Sequence, residues 1–208
     1  MCGVCGYTGS DNRFLSSMIK HIRRRGPDQE GKFSKNNINL AATRLSIRDL
    51  NNGAQPFIHH DINFVTIFNG EIYNYEFLKK KILKKGYSIK TNCDTELIAP
   101  GYKFFGEEFF SLIEGMFAFA IYDLSTSDLI LSRDRFGVKP LYYSILNNNL
   151  YFSSSAKSIY TLDFFKRKIN LKNLQSVLSK RYVKDSEHIF ENIYQVNPGQ
   201  IIKYKNNI

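Results

Sequence analysis

The chain has 208 residues, 43% of them hydrophobic, with 17 Phe and 13 Tyr, enough to bury a substantial core without disulfides or a metal. Its 29 Lys and Arg against 19 Asp and Glu leave a net charge of +10, but the lysines are scattered and no nucleic-acid-binding motif accompanies them, so nucleic acid is set aside as a partner. Three cysteines, no basic-then-apolar leader after Met1, and no apolar run approaching the roughly 20 residues of a membrane span predict a cytoplasmic protein with no membrane association.

The opening MCGVCGYTG reads as a strand entering a turn. A helix is predicted over 11–23, with Phe14, Leu15, Met18, Ile19 and Ile22 on one face. GPDQEGKF at 26–33 has the glycine and lysine spacing of a phosphate loop, but Phe33 stands where such a loop needs Ser or Thr, and the stretch reads as a turn. Strands are predicted over 38–47 and 62–70. A helix over 75–85 carries the lysine run KKKILKK on a solvated face and ends at Gly86. The next helix begins with Asp94 as its N-cap and Glu96 in its first turn, and Pro100-Gly101 is expected to kink or end it. Strands follow over 116–124 and 128–134, then a hairpin joins 140–146 to 150–155 through Asn147-Asn148-Asn149. Weaker helical patterns cover 155–161 and 170–181. Consecutive hairpins with irregularly interspersed helices mean antiparallel sheets covered by helices, in one domain over 1–208.

Cys2 and Cys5 do not read as a metal or redox pair. A structural zinc needs four ligands, and Cys93 with four dispersed histidines offers no second pair at ligand spacing. Cys5 fits a buried strand position, whereas Cys2 has a different use. If Met1 is removed, the free α-amine of Cys2 lies within reach of its own sulfur, and an N-terminal amine titrates at about 7.7–8, close to working pH. Gly3 and Gly6 then read as sites where substrate could approach the backbone. Polar residues also punctuate the apolar strands: Arg44 in TRLSIRD, Asn69, Gly70 and Glu71 in FNGEIYN, and Asp94 in NCDTEL. Each has an ordinary structural explanation. Together they supply a guanidinium for an α-carboxylate, a carboxylate for an α-ammonium, and an amide with a backbone N–H for an oxyanion.

MCG, RRGPDQEG, TRLSIRDLNNGAQPF, FNGEIYNY, CDTEL, GMFAFAIYD and SRDRFGVKPLYY, in this order and spacing, resemble the glutaminase domain of class II glutamine amidotransferases, specifically the glutamine-hydrolysing asparagine synthetase branch. The resemblance is strong over residues 1–160 and weak over 161–205, where NPGQIIKY carries it. It implies an α+β fold, a four-layer αββα sandwich of two antiparallel sheets of the N-terminal-nucleophile type. It implies Cys2 as nucleophile, Arg44 on the glutamine α-carboxylate, Asp94 on the α-amino group, and Asn69 with Gly70 as the oxyanion hole. The backbone around Leu45, Ser46, Ile47 and Arg48, with Glu71, would complete the pocket for L-glutamine.

The same resemblance implies no cofactor for the glutaminase half. ATP and Mg are expected only in a synthetase domain, in cis or in trans, that accepts the ammonia; this chain contains no SGGxDS loop of the kind that marks it. A homodimer is left open. Three departures stand out: Arg24 where many relatives carry His, Ser155 where they usually carry Glu, and Pro100-Gly101 within a usually regular helix. Two other readings stay open, a glutaminase domain of a related amidotransferase of surface-polysaccharide synthesis and a non-catalytic glutamine-binding remnant.

Overall fold

The computed structural model describes residues 2–35, 37–183 and 186–205, and Met1 lies outside them. In chain order the elements are β1 (Gly3–Thr8), α1 (Phe14–Lys20), β2 (Gln29–Lys35), β3 (Ile38–Arg44), β4 (Phe57–His59), β5 (Phe64–Ile72), α2 (Tyr75–Leu83), α3 (Asp94–Phe105) and α4 (Glu108–Leu112). They continue as β6 (Gly115–Asp123), β7 (Asp128–Arg133), β8 (Tyr142–Leu146), β9 (Asn149–Ser153), α5 (Lys157–Tyr160), α6 (Leu171–Lys180), β10 (Tyr194–Gln195) and β11 (Ile201–Lys205). Every strand pairing is antiparallel, in a six-stranded sheet ordered β10-β8-β9-β1-β3-β2 and a five-stranded sheet ordered β11-β7-β6-β5-β4.

The period-two alternation of these strands sorts their side chains into three apolar layers. Val4, Leu40 and Phe152 of one sheet meet Val65, Ala120 and Leu131 of the other in a central layer. The opposite faces of β5 and β6, through Phe64, Phe68, Phe117 and Phe119, pack against Leu78, Leu97 and Phe109 of α2, α3 and α4. On the far side, Cys5, Tyr7 and Ala41 pack against Met18 and Ile19 of α1 and Ile159 of α5. Three interfaces between four layers make an αββα sandwich.

Several details differ from the sequence reading. The stretch read as a turn over 26–33 is a turn only at its start, because β2 runs through most of it. As an edge strand with Glu30, Lys32, Ser34 and Lys35 in its register, it lacks the apolar alternation that would reveal it. The strand predicted over 38–47 stops at Arg44, since the following loop turns toward the other sheet. Pro100 does not end α3, which continues to Phe105. Gly101 is there for packing: a Cβ on it would lie 2.1 Å from the Phe109 ring. Gly3 and Gly6 likewise serve packing rather than substrate approach. A Cβ on Gly3 would meet Thr43 Oγ1 at 2.7 Å and one on Gly6 would meet Asn39 O at 2.5 Å. Asp94 is the first helical residue rather than the cap; Cys93 holds the cap position, and the Asp94 carboxylate makes no capping bond.

Candidate active site

Antiparallel register brings distant segments to one end of the sandwich. Gly3 pairs with Thr43, so the start of β1 coincides with the end of β3, and Cys2 meets the loop that leaves Arg44. Gly70 pairs with Phe117, which sets the end of β5 against the start of β6. The first turn of α3 closes the side. A cavity of about 150 Å³ lies at this junction, with Cys2, Arg44, Leu45, Ile47 and Arg48 on one side and Asn69, Gly70, Glu71 and Asp94 on the other. Ser46 does not line it; its N–H is donated to the Asp28 carboxylate at 2.7 Å on the exposed side of the loop.

Cys2 is half-buried, its Sγ 3.9 Å from the Leu45 carbonyl, and its own carbonyl accepts from Arg25 Nε at 3.3 Å. Asn69 is fully buried, yet neither Oδ1 nor Nδ2 of its amide has a hydrogen-bond partner among the described residues. A buried amide left unpaired is costly and rare, so its position in the cavity wall is informative.

Arg44 is 4% exposed and its guanidinium donates to Gln29 Oε1 (3.0 Å) and to the carbonyls of Leu50 (3.3 Å), Arg48 (2.8 Å) and Asp49 (2.7 Å). These bonds use both terminal nitrogens twice and hold the 45–50 loop in place. Arg48 reaches across the cavity mouth to Asp94 Oδ1 (2.8 Å) and lies 3.7 Å from Glu71, with its guanidinium 4.1 Å from the Tyr75 ring centre. Asp94 Oδ2 accepts from Ile72 N–H at 3.0 Å. Burial raises the Asp94 pKa to about 6, against the lowering effects of the Ile72 N–H and Arg48 and with a smaller upward push from Glu71.

The sequence reading missed Gln55, Cys93, Thr95, Met116 and Lys139, which also line the cavity, as do Gly53 and Phe68. Lys139 is 3% exposed; burial and the nearby Arg25 lower its pKa, while Asp134, Cys2 and Glu71 act in the opposite direction. Its signal was present in the GVKP of SRDRFGVKPLYY, where a lysine directly follows an apolar residue. Gln55 fixes the cavity wall by accepting from Phe68 N–H at 2.7 Å. No histidine lines the cavity among the described residues. His59 is instead a satisfied core residue, its ring nitrogens 3.2 Å from Tyr87 OH and 3.1 Å from Thr66 Oγ1, and burial drives its pKa down to about 3. Cys5 is buried in β1, where desolvation raises its thiol pKa, and no cluster of His, Cys, Asp or Glu able to hold a metal occurs among the described residues.

The chain belongs to the glutamine amidotransferase domain family, whose model matches residues 1–208. It is 36% identical over 207 residues to asparagine synthetase [glutamine-hydrolyzing] 1 of Bacillus subtilis, covering 96% of this chain and 33% of that protein. Asparagine synthetase [glutamine-hydrolyzing] of Zea mays is 36% identical over 166 residues, covering 76% of this chain and 28% of that protein. The chain thus spans about a third of the length of the curated relatives it matches. Among solved structures, glutamine phosphoribosylpyrophosphate amidotransferase from B. subtilis, complexed with ADP and GMP, superposes with a TM-score of 0.67 over 100% of this chain and 50% of that one, at 17% identity. That likeness establishes the same two-sheet sandwich. No helix among the described residues is long and apolar enough to cross a membrane.

Proposed function

We propose that this domain hydrolyses L-glutamine to glutamate and ammonia with Cys2 as nucleophile. The observation that carries the reading is the buried, unpartnered Asn69 amide in the wall of the cavity that Cys2 enters. An oxyanion site must hold its donor unpaired until charge develops, and Asn69 Nδ2 meets that condition.

With Met1 removed, the Cys2 amine takes the thiol proton and the thiolate attacks the side-chain amide carbon of glutamine. Asn69 Nδ2–H and the Gly70 N–H stabilise the tetrahedral oxyanion. Ammonia leaves with the proton from the amine, and water hydrolyses the thioester to glutamate. The glutamine α-ammonium binds Asp94 and Glu71, a reading supported by the Arg48 guanidinium that now lies against both carboxylates. The α-carboxylate falls to Arg44, whose longest bond, to Leu50 O, is the one most readily exchanged. Lys139 adds positive charge to the same cavity.

By likeness to the asparagine synthetases, the ammonia passes to a synthetase domain, in cis or in trans, where an ATP-activated aspartate accepts it; ATP and Mg belong to that domain. A cytoplasmic location fits the unpaired cysteines. Cys2→Ala tests the core of the reading: glutamate release from glutamine should fall to background while the fold is retained. Release at the parental rate would overturn it.

A further inference from the structure

Behind the nucleophile lies a second, larger cavity of about 440 Å³ that the proposed reaction does not use. It sits on the outer side of the six-stranded sheet, between the end of α1, the start of β8, the β9–α5 junction and residues 188–190. His21, Arg25, Lys157 and His188 face it, with the hydroxyls of Ser155 and Tyr160, and no aspartate or glutamate lines it among the described residues. None of the four basic side chains takes part in an ion pair among those residues.

Arg25 carries unused bonding capacity. Its Nε is bonded to the Cys2 carbonyl, but Nη2 is buried and has no acceptor. A buried guanidinium nitrogen without an acceptor costs stability, and an anion relieves that cost. His188 Nδ1 accepts from Phe190 N–H at 3.2 Å, which leaves Nε2–H as the ring's donor. His21 has its pKa lowered chiefly by burial and further by the nearby Lys157 and Lys20. Together, Arg25, Lys157, two imidazoles and two hydroxyls offer more donors than the two oxygens of a carboxylate can satisfy, whereas the oxygens and the −2 charge of a phosphate match them. One wall is aromatic, with the Tyr160 and Phe190 rings 4.7 Å apart, suited to a flat organic body attached to the anion.

We propose that this pocket binds an oxyanion of the phosphate class, through Arg25, Lys157, His21 and His188. The site goes beyond glutamine hydrolysis and is tested by binding rather than turnover. Imidazole C–H resonances of the full chain, followed at pH 7 at constant ionic strength, should shift saturably for both His21 and His188 on adding inorganic phosphate, with a dissociation constant of about 1 mM or tighter. Lys157→Gln and His21→Asn alter solvent-facing side chains and should each weaken binding about tenfold without unfolding the chain. Phenyl phosphate separates the sources: affinity above that of inorganic phosphate assigns the site to a phosphomonoester with a planar body, and equal affinity assigns it to the free ion. Shifts no larger than those from added chloride, or affinity unchanged in both variants, would overturn the proposal.

Discussion

The two ends of β5 treat buried polar groups in opposite ways. Near its start, Thr66 and Tyr87 occupy both ring nitrogens of His59, and Glu96 accepts from the N–H groups of Lys90 (2.8 Å) and Thr91 (2.7 Å) and from the Thr91 hydroxyl. Near its end, the Asn69 amide has no partner, and Asp94 keeps its charge against a desolvation penalty. Thr66 and Asn69 share β5, and Glu96 and Asp94 share the first turn of α3, so neither burial nor element type separates the ends. The difference is where bonding capacity is left unused, at the end facing the cavity, as the proposed reaction requires.

Substitution at the two ends should therefore give opposite signatures. Asn69→Ala is expected to lower kcat for glutamine by about 10²–10³-fold while changing stability by less than about 1 kcal/mol, since no protein hydrogen bond is lost. Saturating-substrate assays and urea unfolding on the same preparation test this. A stability loss without a rate loss would erase the distinction.

Asp94→Asn should stabilise the fold at neutral pH and weaken substrate binding. The folded pKa of about 6 lies above the ordinary 3.8, so the contribution of Asp94 to stability is fully present below 3.8 and is lost as pH rises through 6. That penalty is on the order of 3 kcal/mol above pH 6, and Asn removes up to that amount. Calorimetry at pH 7.5 should show a raised Tm with a glutamine KM at least about tenfold higher. In the parent protein, glutamine affinity should decline as pH falls below about 6.

His59→Ala should cost about 2–3 kcal/mol and leave KM unchanged for the folded fraction. Its pH signature has the opposite sign to that of Asp94. With a folded pKa of about 3 below an ordinary 6.5, the stability contributed by the neutral ring is present above 6.5 and lost as pH falls toward 3. The slope is at most about 1.4 kcal/mol per pH unit, and the substitution should flatten it in acid unfolding curves. The smallest expected effect is from Glu96→Gln, a loss of about 1–2 kcal/mol read by urea midpoint, with glutamine KM unmoved.

The strands that cross the sandwich interior were legible from their runs of β-branched and aromatic residues: β6, β7 and the β8–β9 hairpin fall close to where the pattern placed them, while β3 ends three residues early and β5 is displaced by two. Short or polar elements were not. β4 has three residues and β10 two, too few for any period to show. In the cavity, Asn69 and Asp94 were visible as polar breaks in apolar runs, and Cys2 through its place directly after Met1. Lys139 was legible only as a lysine after an apolar residue, because its burial depends on the loop between β7 and β8, where Asp134 Oδ2 accepts its N–H at 3.0 Å. The loop-holding bonds of Arg44 were invisible for a related reason, since their acceptors are backbone carbonyls, which every sequence has.

The surplus of lysine has one more consequence, at the open margins of the sheets. An unpaired strand edge invites another chain to add itself in register. Here the outermost strands are β10, of two residues, β4, of three, and β2 and β11, which present exposed Lys32, Lys35, Lys203 and Lys205. A neighbouring chain joining at β2 or β11 would have to bring its own charges against those ammonium groups. A net charge that names no ligand thereby weighs against strand addition at these two edges.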